Sequence, residues 1–291
     1  MDIVITPASL RGDLQIIPSK SQAHRLLICA AFADRPTDLI CPETSRDMDA
    51  TAACLNALGA KITRTEQGYR IAPVGHIPKA ALLPCQDSGS TLRFLLPVAG
   101  ALGVKATFLL KGRLPQRPLS TLWDELERMG CTLSRPSEDT ILCQGQLRPG
   151  AYRIDGGVSS QFVTGLLFAL SLRPGKSRLT LTGKVESAPY IAMTQQAMEA
   201  FGVNTEGFQL SGGGAYRSPG TLAVEGDWSN GAFFLAAAAL GNPVTVLGLS
   251  PTSAQGDRAA ETLLPALNDP VTISAAQIPD LIPILSVVAA C

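Results

Sequence analysis

The stretch DSGSTLRFLLP (Asp87–Pro97) has three counterparts: PSKSQAHRLLI (Pro18–Ile28), VSSQFVTGLLF (Val158–Phe168) and WSNGAFFLAAA (Trp228–Ala238). Each places small hydroxyl or glycine residues directly before an apolar run. With Ser21, Ser90, Ser160 and Ser229 as markers, the intervals are 69, 70 and 69 residues. A fixed interval of this length signals one folding unit used repeatedly. Ser or Gly before an apolar run is also how a helix begins, and helix beginnings attract anions.

A second set of pieces recurs between them: LNALGAKIT from Leu55, LERMGCTLS from Leu126 and MEAFGVNTE from Met198. Their glycines, Gly59, Gly130 and Gly202, follow a helical spacing of apolar residues and suit left-handed helix ends. Each is expected to lead into a short strand. The first helix of each unit leads into TDLIC, ATFLL, RLTLTG or VTVLGL, and further strands are expected at GYRIAP, TILCQG and TLAVEG. The pattern predicts a mixed α/β fold with units near 18–85, 86–155, 156–223 and 224–291. In the fourth unit a helix is expected at AAETLLPAL and a strand at VTIS. The closing LIPILSVVAAC reads as an apolar helix in need of cover, as in a truncated chain or one that docks this helix elsewhere.

The chain has 291 residues, 46% of them hydrophobic, which is enough for a large core. Lys+Arg and Asp+Glu both total 24, so the basic excess of a nucleic-acid binder is missing. The seven cysteines form no CxxC pair and read as buried free thiols, and two histidines give little for a metal site. MDIVITPASLRGD lacks the profile of a secretory leader. The uncharged stretch Gly231–Ser250 is broken at Gly241-Asn242-Pro243, too early to span a bilayer. A soluble, cytoplasmic protein is expected.

The candidate chemistry lies at the helix starts. Lys20 and Ser21 sit where free N–H groups and the helix dipole favour an anion, and Arg25 follows one turn on. Gly89 lets a ligand approach the backbone closely, with Arg93 just inside that helix. Ser159, Ser160 and Gln161 form a third start. Arg117, before Pro118, offers a fork for carboxylate or phosphate. Ser187 and Tyr190 lie in a strand-to-helix turn. Asp280, in IPDLIP, is either a helix cap or a carboxylate placed to take a proton. Each start taken singly is also an ordinary capped helix. No hydrolase triad, phosphate-binding lysine loop or dinucleotide fingerprint is present.

Together these motifs resemble the enolpyruvyl-transferase family, in its shikimate-type branch, in order and along the whole chain. The resemblance implies two lobes built from βαβαββ units. Residues 18–223 would form the first lobe, and 1–17 with 224–291 an incomplete second. It implies transfer of the enolpyruvyl group of phosphoenolpyruvate to the 5-hydroxyl of shikimate 3-phosphate, with no metal or cofactor, in a monomer. Lys20 would touch both substrates. Ser21, Arg25, Ser159, Ser160, Ser187 and Tyr190 would hold shikimate 3-phosphate. Gly89 and Arg117 would hold phosphoenolpyruvate, Gln161 would lie between the ligands, and Asp280 would accept the hydroxyl proton. Arg93 would be structural. The glycine loop departs from the familiar NAGTAMRP form at Asp87, Ser90 and Phe94, which leaves glyphosate sensitivity open; an acid at Asp87 would weaken an anion unless it points away. Further phosphoenolpyruvate ligands of the family would lie beyond Cys291, so weak binding and low turnover are expected of these 291 residues. The related transferase acting on UDP-N-acetylglucosamine carries a loop cysteine that KGRLPQRPL lacks. A non-catalytic anion-binding remnant is the other alternative.

Overall fold

A computed structural model describes every residue except Met1, Asp2, Ile5, Pro7 and Ala215. The leader reading of the amino terminus falls partly on these and lies outside the described residues. Among the described residues no helix is long and apolar enough to cross a membrane. The chain divides into two compact units. One is Lys20–Val224; the other combines the residues up to Ser19 with Glu225–Cys291.

In chain order, β1 (Gly12–Gln15) belongs to the smaller unit. The larger unit opens with α1 (Lys20–Ala31), β2 (Thr37–Ile40), α2 (Arg46–Ala57), β3 (Lys61–Thr65) and β4 (Gly68–Ala72). Next come β5 (Ala80–Gln86), α3 (Gly89–Leu102), β6 (Lys105–Leu110), α4 (Ser120–Arg128), β7 (Cys131–Ser137) and β8 (Thr140–Gly145). It closes with β9 (Ala151–Asp155), α5 (Ser160–Leu172), β10 (Gly175–Thr182), α6 (Ala188–Ala200), β11 (Gln209–Gly212) and β12 (Thr221–Ala223). The smaller unit continues with α7 (Trp228–Ala239), β13 (Val244–Leu247), α8 (Ala260–Ala266) and α9 (Ile282–Ala290).

The larger unit holds three sheets. In one, β5 runs parallel to β6, and β8 and β7 follow antiparallel. The sheet β12-β2-β4-β3 has the same order and senses, with β12 standing where β5 stands. The third is β9 parallel to β10, with β11 antiparallel beyond. Two of the helices packed against these sheets are enclosed over most of their length. In α5, Phe162–Ser171 is continuously buried, and Ala23–Ala31 of α1 likewise. At the crossing of α3 and α5, a Cβ on Gly165 would lie 2.3 Å from the Arg93 carbonyl oxygen, so only glycine allows this approach. Gly59, Gly130 and Gly202 end their helices with φ of 107°, 114° and 76°, as their position predicts. Six cysteines are buried and unpaired, filling the core as small apolar side chains, while Cys291 is exposed.

Three expected strands differ. After Gly202 the chain makes a 3-10 turn, Glu206–Phe208, because the Asn204 side chain accepts the Glu206 N–H at 2.7 Å and stabilises a turn. TLAVEG does not complete the sheet of its own unit: β12 pairs with β2, some 180 residues back. In the sheets that begin with β5 and β9, the first strand precedes the Ser-rich helix, so the expected unit bounds that begin at the helix are one strand late. In the smaller unit β13 pairs with β1, and Val271–Ser274, expected as a strand, stay irregular. A strand without a neighbour leaves its backbone groups unpaired.

Candidate functional site

The densest cluster of the predicted residues surrounds the start of α3. Ser88 is its N-cap, extended, and its Oγ accepts the Thr91 N–H at 3.3 Å. Gly89 is the first helical residue. A Cβ there would lie 2.9 Å from Arg117 Nη1 and 3.0 Å from Arg93 Nη1. Two guanidinium heads thus crowd the side on which any other residue would carry a side chain. Arg93 reaches this point because it lies one turn along the same helix face. Arg117 reaches it from the end of the 3-10 turn Leu114–Gln116, with the extended backbone that the following proline requires.

Gln161 joins this start to that of α5. It accepts from Arg93 Nη1 at 2.8 Å through Oε1 and donates to Ser90 Oγ at 3.0 Å through Nε2. Ser159 caps α5, and Ser160 opens it, buried. Burial first, and Arg117 second, lower the Arg93 guanidinium from its ordinary value. Its Nε is buried without a partner. An anion arriving here relieves the repulsion between two cations and meets the positive end of a helix. Each charge-assisted hydrogen bond contributes about 1.5–3 kcal/mol and the helix end about 0.3–1 kcal/mol. Asp87 is exposed.

At the start of α1, Lys20 is exposed and its Nζ pairs with Asp47 Oδ2 at 2.9 Å. Ser21 lies beside it, half-buried. Arg25 lies on the buried side of α1. It is 2% exposed, and its guanidinium is spent on Thr194 Oγ1 at 2.8 Å, the Ser21 carbonyl at 2.6 Å, the Tyr190 carbonyl at 2.9 Å and Thr164 Oγ1 at 3.4 Å. It also lies over the Phe94 and Tyr190 rings. Enclosed in this way, Arg25 ties α1 to the Ser187–Tyr190 turn. Ser187 itself has φ 54° and ψ 37°, the left-handed conformation that a non-glycine residue rarely adopts, and its side chain caps no helical N–H. Tyr190 is half-buried.

In the smaller unit, Asp280 sits exposed in the 3-10 turn Pro279–Leu281 that leads into α9. The residue before α9 is Leu281, so Asp280 is not that helix's cap. Asp227 caps α7 by accepting the Asn230 N–H at 2.8 Å. Ser229, in the first turn of α7, donates to the Asp257 carboxylate. Burial above all, then Asp280 and Asp227, raise the Asp257 carboxyl, against the lowering by the Ser229 hydrogen bond.

Close contacts therefore join Ser90, Gly89, Arg93, Arg117 and Gln161 into one group, and Ser21, Arg25 and Tyr190 into another. Sequence reading missed Asp47, Thr51, Thr91 and Asp257. Asp47 stands in a helix first turn like any dipole-favoured acid, and nothing local reveals that Lys20 is its partner. Arg93, read as structural, lies at the glycine turn as closely as Arg117 does.

Helix starts that gather serine, glycine and arginine on a mixed α/β frame have the chemistry of anion sites. The family model for EPSP synthase (3-phosphoshikimate 1-carboxyvinyltransferase) matches residues 4–290. A 3-phosphoshikimate 1-carboxyvinyltransferase of Clostridium perfringens is 35% identical over 315 aligned residues, covering 99% of this chain and 74% of the relative. One of Clostridium kluyveri is 36% identical over 311 residues, covering 99% and 73%. A solved EPSP synthase of Acinetobacter baumannii shares the fold, with a TM-score of 0.73 at 22% identity, over 89% of this chain and 60% of that one. The chain belongs to the EPSP synthase family of transferases. It spans about three-quarters of the length of these curated relatives and three-fifths of the solved structure.

Proposed function

We propose that this chain serves the transfer of the enolpyruvyl group from phosphoenolpyruvate to the 5-hydroxyl of shikimate 3-phosphate, in the pathway to chorismate and the aromatic amino acids. The observation that carries the reading is the pair of guanidinium heads at Gly89. Phosphoenolpyruvate presents a phosphate and a carboxylate, and two cations beside a helix start suit such a ligand. Arg117 and Gly89 hold it, joined by Arg93, which the sequence reading set aside. Gln161 aligns the two substrates, and Lys20 reaches both.

Ser21, Arg25, Ser159, Ser160, Ser187 and Tyr190 hold shikimate 3-phosphate. Arg25 also fixes the Ser187–Tyr190 turn to α1 through the Tyr190 carbonyl. Holding both substrates in register supplies much of the acceleration in a two-substrate reaction. The 5-oxygen bonds to C2 of phosphoenolpyruvate as a proton reaches C3, giving a tetrahedral intermediate. Loss of phosphate and of the C3 proton then restores the double bond. Asp280 accepts the 5-hydroxyl proton; its exposed position in IPDLIP supports that role. Residues 18–223 form the lobe for shikimate 3-phosphate, and 1–17 with 224–291 belong to the second. The protein works on small molecules, as a soluble cytoplasmic monomer.

Calorimetric titration tests the reading. Shikimate 3-phosphate and phosphoenolpyruvate should both bind, and binding should weaken with added salt. Arg117→Ala should weaken phosphoenolpyruvate at least about tenfold, the loss of one charge-assisted hydrogen bond, and leave shikimate 3-phosphate nearly unchanged. Equal weakening of both ligands, or none, would remove Arg117 from this role.

A further inference from the structure

Between the Lys20 helix start and the Gly89 turn runs a buried file of polar side chains that no step above uses. His24 lies on α1, one turn after Lys20. Its Nδ1 is 2.7 Å from Thr51 Oγ1 on α2, and Thr51 Oγ1 is 2.7 Å from Thr91 Oγ1 in the first turn of α3. Thr91 Oγ1 donates to Ser88 Oγ at 2.8 Å, and approaches the Asp47 carbonyl at 3.4 Å. His24, Thr51, Thr91 and Ser88 are all buried.

Each hydroxyl carries one proton, and that fixes the direction of the whole file. Thr91 spends its proton towards Ser88 and Asp47, so at the next contact Thr51 must be the donor. Thr51 has then spent its own proton, so His24 Nδ1 must donate to Thr51. The network thereby assigns the imidazole its proton on Nδ1. Nε2 is left as a bare lone pair, and Nε2 is the one atom of the file that is buried without a partner. An orphaned lone pair in an apolar site costs less than an orphaned N–H. The Phe94 ring packs edge-on to the imidazole, at 6.2 Å between centroids. Burial also keeps the ring neutral; Asp47 acts against it, Lys20 and Arg25 with it.

We propose that His24, Thr51 and Thr91 form a one-way hydrogen-bond relay that sets the Ser88–Gly89–Ser90 turn against the start of α1, making His24 a positioning residue for the anion site. The relay ends on Ser88, whose Oγ also caps α3 and so orients the Gly89 and Ser90 amides. It begins one turn from Lys20, whose partner Asp47 stands beside the same threonine. The consequence for ligands rests on the reading of function above; the relay itself does not.

Nitrogen-15 NMR of the ligand-free full chain tests it. The His24 ring should show Nδ1–H with bare Nε2, and keep that form as the pH is lowered to about 4. Thr51→Val preserves volume and removes the link. It should shift the ring towards the Nε2–H form, move the Gly89 and Ser90 amide signals and weaken phosphoenolpyruvate about tenfold, with Thr51→Ser restoring all three. An Nε2–H ring in the unaltered chain would overturn the relay without recourse to any variant. So would a folded Thr51→Val protein with unchanged Gly89 and Ser90 signals. If these ligand-free readouts hold and phosphoenolpyruvate fails to bind the unaltered chain, the relay stands and the reading of function falls.

Discussion

Gly89 concentrates the chemistry of the larger unit in one missing side chain. The two atoms that an added methyl group would meet, Arg117 Nη1 at 2.9 Å and Arg93 Nη1 at 3.0 Å, are ends of flexible side chains, so both can move aside. Gly89→Ala should therefore fold with nearly unchanged stability, yet push apart the two groups proposed to grip phosphoenolpyruvate. Its dissociation constant should rise about tenfold or more, equal to one weakened charge-assisted hydrogen bond, while thermal unfolding stays within a few degrees. A large loss of stability with intact binding would show that the space, not the cations, matters. His24 supports a second prediction at this scale. Burial lowers its imidazole from the ordinary 6.5 to about 3. Below pH 6.5 the unfolded chain takes up a proton that the folded chain refuses until about pH 3. The unfolded state binds more protons in that window, so stability present above it is lost as pH falls, by about 1.4 kcal/mol per pH unit from this group. Urea unfolding across that window should show a shallower acid limb for His24→Leu than for the unaltered chain, and parallel limbs would contradict it.

Close helix contact governs stability at the scale of elements. On α5, Gly165 lets the helix lie against the α3 backbone; a methyl group would meet the Arg93 carbonyl at 2.3 Å and Pro97 Cγ at 3.0 Å. A carbonyl inside a helix cannot step aside as a guanidinium can. Gly165→Ala should cost about 1–3 kcal/mol, read from the urea midpoint, the usual penalty of overpacking. Because Arg93 would be displaced with its backbone, binding should also weaken, which contrasts with Gly89→Ala, where binding alone suffers. The elements themselves were largely legible. Ser88 and Ser159 cap where a hydroxyl precedes an apolar run, and Gly59, Gly130 and Gly202 end helices at positive φ, because both rules act within a few residues. Local rules fail where two compete or where a partner is needed. The Asn204 turn displaces a strand after Gly202, and Val271–Ser274 have strand-like residues yet join no strand among the described residues. In the site, residues at helix starts were readable from capping chemistry. Asp47, Thr51 and Thr91 were not, since their meaning depends on partners 27 to 44 residues away. The enclosure of Arg25 was illegible for the same reason: its spacing from Ser21 places it one turn on along α1, but its burial depends on Thr164 of α5 and Thr194 of α6.

Closure of the larger unit is a property of the whole molecule that no local pattern carries. Its first sheet is completed by its last strand. β12 pairs with β2 through Thr221↔Asp38, Leu222↔Leu39 and Ala223↔Ile40, and Asp38 N–H donates to the Gly220 carbonyl at 2.8 Å and Val224 N–H to the Ile40 carbonyl at 2.9 Å. Side chains reinforce the seam: Arg35 Nη2 donates to the Ser218 carbonyl at 2.8 Å, and the Thr37 and Ser218 hydroxyls lie 2.7 Å apart. Contacts this distant in sequence form against a loop-closure cost, although that cost grows only slowly with length. They also cover the edge of β2, which otherwise presents free N–H and C=O groups. By the alternation of a parallel ladder, the Leu222 backbone faces β2, so Leu222→Pro removes a donor at the centre of the seam. Hydrogen exchange should then quicken at Asp38 and Ile40 while β6, in the second sheet, keeps its protection. Since α1 carries Lys20 and leads directly into β2, one strand of this seam, the same variant should loosen the shikimate 3-phosphate side more than the Gly89 turn. Unchanged exchange at Asp38 and Ile40 would mean that the first sheet holds without its closing strand, and that the long-range pairing adds nothing to the frame on which the helix starts are set.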